Sequence, residues 1–198
     1  MLTNRAVIIL VIVTIACFGF VISSHKPPVK PSNRFTKAQI EHGAYLVKSL
    51  GGCSDCHTPS KMTPNGPVPD MDKYLSGFPA VGDTLRIPQG ALGSSGWGML
   101  ATPDFTSYAG PWGISYAANI TPDSATGIGS WTKEMFINCV REGKYWGSGR
   151  PLLPPMPWEG LGRMTNGDLT DIYAYLRSIK PISNQVPAPV PPDKAVQH

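Results

Sequence analysis

The pentapeptide Cys53-Ser54-Asp55-Cys56-His57 constrains this 198-residue chain more than any other feature. Two thiols stand three positions apart, with an imidazole directly after the second. Sulfurs about one short turn apart can reach the two vinyl-derived carbons of a porphyrin, and the adjacent histidine can then swing beneath the iron. The pattern is read as the covalent attachment site of one haem c. Cys53, Cys56 and His57 are then its cofactor-binding residues, and His57 is also the proximal iron ligand. With 4 Cys and 4 His in the whole chain, composition alone would supply about 0.002 such matches, so chance is a poor explanation.

Two other chemistries use paired cysteines, and neither suits the surroundings. A zinc site needs a second pair of ligands at a sensible spacing, and Cys139, His25, His42 and His198 are scattered. A thioredoxin-like dithiol needs a strand before the motif and a helix after it. Here a helical pattern precedes the motif and Pro59 follows it. Of the remaining cysteines, Cys17 lies in an apolar run, and Cys139 reads as a small apolar core residue on a helix.

A sixth ligand is sought among the methionines. Met62 is five residues from His57 and poorly placed to reach the opposite face of a haem, Met135 reads as helix core, and Met99 in GWGML is the main rival. Met156 lies between Pro155 and Pro157 in PLLPPMPWEG. Prolines on both sides restrict the backbone and remove competing N–H donors, which suits a rigid arm presenting a soft sulfur to iron. Met156 is the expected distal ligand, so the expected metal ligands are His57 and Met156.

The chain around these residues is organised in four parts. Residues 1–22 contain the uncharged run AVIILVIVTIACFGFVI and are read as an N-terminal membrane anchor, a single transmembrane helix, with a signal peptide as the competing reading. Residues 23–35, with three prolines, form a linker, and residues 183–198 a Pro-rich tail, extended or frayed. Residues 36–182 are the folded domain. In it Thr36 with Gln39, Ser130, and Thr165 with Asp168 mark three helix starts, and Gly51-Gly52, Gly143 and the approach to Pro181 mark the stops. Residues 58–118 read as loop, with no convincing alternating run. The fold class expected is all-α, about three to four helices around one haem with long loops. The formal net charge of +4 comes without any dense Lys/Arg block, which excludes nucleic acid as a partner.

The ordered set GAYLVKSLGGCSDCHTP, NITPDSATGIGSWTKEMF, VREGK, PPMPW and LTDIYAYLRSIKPISN resembles the single-haem modules of bacterial periplasmic c-type cytochromes. These include the modules of cytochrome subunits of membrane-bound alcohol and gluconate dehydrogenases. The resemblance covers about residues 36–186 and implies a cytochrome c-type fold with His57 proximal and Met156 distal. It also implies that Gly43 and Tyr45 on the first helix cross the last helix near Tyr173 or Tyr175. Those subunits carry several modules, and this chain has one such motif.

A haem held by histidine and methionine has no open position for substrate, so the expected role is one-electron transfer, with no catalytic residues. Expected partners are the membrane and redox proteins: a dehydrogenase, an oxidase or another cytochrome. Haem c is attached outside the cytoplasm, so the domain is expected to be membrane-anchored and to face the periplasm, in a respiratory chain. The runner-up is a haem enzyme or small-molecule sensor with an open or displaceable distal site. Among the aromatic residues, Trp97, Trp112, Trp131, Tyr145, Trp146 and Trp158 are candidate haem-wall contacts. The combined Cys53→Ser and Cys56→Ser variant should lose covalent haem and most of its folded protein. Thermal melting followed by circular dichroism would show a stable apo fold if that expectation is wrong.

Overall fold

Thr36 opens the first helix, α1 (Lys37–Tyr45), with the expected reciprocal cap. Its hydroxyl accepts from the Gln39 backbone N–H at 3.2 Å, while the Gln39 side chain accepts from the Thr36 N–H at 3.0 Å. Two donors that no helical turn can satisfy are thus paired. The structure, a computed structural model, describes residues 35–79, 85–92 and 98–195, all within one compact unit, Phe35–His198. The expected anchor 1–22, most of the linker, Trp97 and the last three residues of the tail lie outside the described residues.

Helix α1 runs into a π-helical turn, Leu46–Leu50, which carries the buried Leu46 and Val47. Gly52, at φ +55, ends it in the left-handed conformation that glycine adopts at least cost. A single α-helical turn, α2 (Cys53–His57), follows at once. Two further long helices stand where expected. α3 (Lys133–Glu142) is capped by Thr132, whose hydroxyl accepts from the Met135 N–H at 3.1 Å, and Gly143 ends it at φ +62. Ser130 was the expected cap; two residues later, Thr132 has the extended backbone and the hydroxyl contact. After the short α4 (Trp158–Leu161), α5 (Asn166–Ser178) starts with the Thr165/Asp168 capping box and buries Leu169, Ile172, Tyr173 and Leu176. A last turn, α6 (Pro192–Ala195), lies in the tail.

The all-α expectation is overturned by residues 60–116. An antiparallel hairpin pairs β1 (Ser60–Thr63) with β2 (Gly66–Pro69). A three-stranded antiparallel sheet, ordered β3-β4-β5, joins β3 (Leu100–Ala101), β4 (Ser107–Gly110) and β5 (Gly113–Tyr116). Strands of 2 to 4 residues are too short to show a period of two, and prolines interrupt β2. The physical drive is backbone satisfaction: β4 and β5 hold buried residues, and a buried N–H or C=O must find a partner. Among the described residues no helix is long and apolar enough to cross a membrane.

The main core gathers α1, α3 and α5 around Val47, Leu75, Ile128, Phe136, Val140, Leu169, Tyr173 and Leu176. Phe35 joins it edge-on to Tyr173, ring centroids 5.8 Å apart. A smaller core of Ile87, Ile114 and Ala195 sits under the three-stranded sheet. It is closed by the tail, which is extended but docked rather than frayed. Val190 exchanges backbone hydrogen bonds with Ile114 at 2.8 and 2.9 Å, and Ile87 N–H donates to the Ala195 carbonyl at 2.8 Å. Upstream, the Asn184 amide donates to the Ser76 and Phe78 carbonyls at 2.7 and 2.8 Å.

The crossing of α1 and α5 occurs at Gly43, as the resemblance implied. A Cβ there would stand 1.8 Å from the Asp171 carbonyl oxygen and 2.9 Å from Tyr175 Cβ. Tyr45, two residues on, is 54% exposed. Gly43→Ala should therefore force the helices apart and lower the unfolding free energy by about 1–3 kcal/mol, read from the midpoint of a urea titration.

Candidate functional site

Cys53, Cys56 and His57 share the turn α2, so one turn of helix carries both thiols and the imidazole. Both cysteines are free and half-buried. Burial pushes the Cys53 thiol up to about 11. A thiol held protonated at neutral pH is the opposite of the depressed, thiolate-forming cysteine that disulfide exchange uses. Among the described residues no group of three or more His, Cys, Asp or Glu is arranged to hold a metal ion.

His57 is buried, and its Nδ1 lies 2.7 Å from the Ala118 carbonyl oxygen. A carbonyl only accepts, so Nδ1 carries the proton and donates. Desolvation holds the imidazole below its usual pKa, against the opposing pull of the Ala118 carbonyl. The ring is thus neutral at pH 7 and its Nε2 lone pair is available as a ligand.

The position of Ala118 is set by a short ladder around the motif. Gly77 N–H donates to the His57 carbonyl at 2.8 Å, and Phe78 N–H donates to the Ala117 carbonyl at 2.9 Å. Leu75 N–H donates to the Thr58 hydroxyl at 3.1 Å, and Ile120 N–H to the Leu75 carbonyl at 3.0 Å. Residues 75–78 therefore lie between the motif and the segment that holds its histidine. Leu75 is fully buried at φ +59, a conformation that side-chain-bearing residues seldom adopt. Gly77, at φ +79, has no room for a side chain, since a Cβ would meet the Ala117 oxygen at 2.4 Å.

Met156 lies on a separate, half-buried segment that follows a cis Pro154–Pro155 peptide. Its tie to the motif runs through β4 and β5. Tyr108 and Ser115 are cross-strand partners, so their side chains share one face of the sheet. Tyr108 Oη donates to Cys56 Sγ at 3.0 Å, and Ser115 Oγ donates to the Pro154 carbonyl at 2.6 Å. Of the other methionines, Met62, Met71 and Met99 are exposed by 75%, 63% and 42%, while Met135 and Met164 pack against the main core.

The aromatic candidates divide. Trp112 Nε1 donates to Ser115 Oγ at 3.2 Å and so joins this region. Trp131 is buried in the main core with Tyr145 edge-on at 5.3 Å, Trp146 is exposed, and the Trp158 ring covers Gly143. Tyr108, Ser115, Ala118 and Gly77 were not among the residues expected from sequence. Ala118 acts through its carbonyl, which has no side-chain signature. For Tyr108 and Ser115 a signal did exist: Gly110-Pro111-Trp112-Gly113 is a turn between two short β-forming runs.

No protein-family model matches the chain. It is 36% identical over 147 residues, 74% of its length, to the gluconate 2-dehydrogenase cytochrome c subunit of Pantoea cypripedii, of which it covers 24%. Over 78 residues, 39% of the chain, it is 37% identical to the fructose dehydrogenase cytochrome subunit of Gluconobacter japonicus, covering 16% of that protein. It is also 40% identical over 84 residues to the cytochrome c subunit of the quinone alcohol dehydrogenase of Gluconacetobacter polyoxogenes, a match that takes in 39% of this chain and 18% of that one. The chain is thus similar to the cytochrome modules of dehydrogenase subunits, and the matches span less than a quarter of each of these relatives.

Gly77→Ala should strain the ladder at the histidine, through both its φ and the contact with the Ala117 oxygen. An unfolding free energy lower by about 1–3 kcal/mol is expected, read from urea denaturation.

Proposed function

We propose that this chain is a one-electron carrier, a single-haem cytochrome c domain in a periplasmic, dehydrogenase-linked respiratory chain. The observation that carries the reading is the turn Cys53–His57 with the buried imidazole donating from Nδ1 to the Ala118 carbonyl at 2.7 Å. The donor set suits a haem c. Two free thiols on one helical turn fit thioether attachment, and a neutral imidazole with its Nε2 lone pair free fits iron ligation. When bound, a haem held by imidazole and thioether supplies a one-electron couple without an open coordination position.

Each residue then has a defined task. Cys53 and Cys56 anchor the cofactor in either oxidation state. His57 is held in one tautomer and orientation by Ala118, as outer hydrogen bonds do for ligating histidines generally. Met156 provides the distal sulfur, a reading supported by its proline-restrained, half-buried segment and by the exposure of Met62, Met71 and Met99. The relatives are named as cytochrome subunits of dehydrogenases, which supports a dehydrogenase as the redox partner and a carrier rather than a catalytic role. Periplasmic placement follows from the site of haem c attachment.

The test is the optical spectrum of the periplasmically matured protein, oxidised and reduced, with and without carbon monoxide. A low-spin c-type spectrum that ignores carbon monoxide is expected. A high-spin spectrum that shifts at once would replace the carrier reading with the open-iron enzyme or sensor. Met156→Ala should keep the covalent haem, lower the midpoint potential and admit carbon monoxide. An unchanged potential with no ligand binding would remove Met156 from the role.

A further inference from the structure

One cross-strand pair of the three-stranded sheet touches both halves of the site. Tyr108 is 7% exposed, and its phenol reaches the sulfur of Cys56 at 3.0 Å. Ser115, its partner across the β4–β5 ladder, is 6% exposed. Its hydroxyl accepts from Trp112 Nε1 at 3.2 Å and donates to the Pro154 carbonyl at 2.6 Å, two residues before Met156. Its other acceptor, the Tyr108 carbonyl, is farther away at 3.4 Å, so the single hydroxyl proton is committed to Pro154. Directly opposed antiparallel residues move as a unit, because their backbones are bonded to each other. Burial and the bond to Cys56 raise the Tyr108 phenol above its usual range, so it remains a donor at any ordinary pH.

We propose that the Tyr108–Ser115 pair is a positioning device that sets the Cys56 sulfur and the Met156 segment relative to each other. This inference rests on the haem reading above. In attachment, the Cys56 thiol adds across a vinyl group of the incoming haem. A sulfur–carbon bond forms, the thiol proton ends on the neighbouring vinyl carbon, the carbon–carbon double bond becomes single, and no net electron is gained or lost. Tyr108 contributes orientation: a hydrogen bond to one sulfur lone pair fixes the Cys56 rotamer. The sulfur keeps a lone pair after alkylation, so the same phenol holds the finished thioether. Ser115 passes that position to the Pro154 carbonyl, and so to the backbone that presents Met156.

The experiment matures the full chain with its haem in the periplasm and counts thioether bonds by mass spectrometry of the haem peptide. Tyr108→Phe keeps the ring and removes the donor. Its fraction of haem linked through Cys53 alone should rise about fivefold, the factor of one lost hydrogen bond at the reacting sulfur. Its midpoint potential should also shift, and that shift should vanish in a Cys56→Ala background, where no sulfur remains to be held. A merely structural role would leave the potential shift intact in that background. Ser115→Ala should retain both thioethers yet admit carbon monoxide more readily than the unaltered protein. A fully doubly linked haem with unchanged potential in Tyr108→Phe overturns the proposal. If that variant fails to accumulate, unchanged carbon monoxide exclusion and unchanged potential in Ser115→Ala overturn it instead. Unaltered protein matured without any haem would overturn the carrier reading itself, a separate outcome.

Discussion

The hydrogen bond from His57 Nδ1 to the Ala118 carbonyl joins residues 61 positions apart, and much of the central chain is arranged to make it. A buried imidazole without a partner for its N–H would be strongly disfavoured. With the partner present, the ring is neutral, locked in one tautomer and directed. Delivering that carbonyl requires residues 75–78 to thread between the motif and residues 117–120. Leu75 and Gly77 accept positive φ angles in doing so. Strain at Leu75 is tolerated because the residue is fully buried and bonded on both sides, through its N–H to Thr58 and its carbonyl to Ile120.

The sheet and the docked tail follow from the same constraint. Residues 107–116 bring two short strands to the motif, and their apolar underside needs cover. The tail provides it: Val190 extends the edge at Ile114, and Ala195 fills the space beneath. Asn119 and Asn184 fasten the start of the tail, the first to the Ile182 carbonyl at 2.8 Å and the second to Ser76 and Phe78. The carbonyls of residues 76 and 78 thus belong to the strip that positions His57. A segment with the composition of a loose end is in this way tied to the neighbourhood of the site.

The helical frame was legible from the chain alone. Thr36, Thr165 and Asp168 are capping residues whose chemistry is local, and they cap as read. Gly43 was legible through its resemblance to related modules, and its physical reason is the 1.8 Å that a Cβ would leave to Asp171. The strands were not legible from periodicity, and the Gly110–Gly113 turn between β4 and β5 was the one local sign of them. At 2 to 4 residues each, with glycine and proline inside them, they carry no periodic signal. The all-α expectation failed there, and the helix expected to start at Ser130 is capped instead by Thr132, whose side chain accepts from the Met135 N–H.

By itself the sequence determined the chemistry on offer: two thiols and an imidazole at the spacing of one turn, three helices, two of them with their caps, and a methionine between prolines. These depend on contacts within a few residues, which a linear pattern records. Tertiary structure alone decided which carbonyl receives the histidine proton, which phenol meets the Cys56 sulfur, and what ties the Met156 segment to it. Those contacts join residues 39 to 61 positions apart, and two of the partners are main-chain carbonyls that any residue could supply. Side-chain identity cannot encode such a partner; only the path of the folded chain can place it.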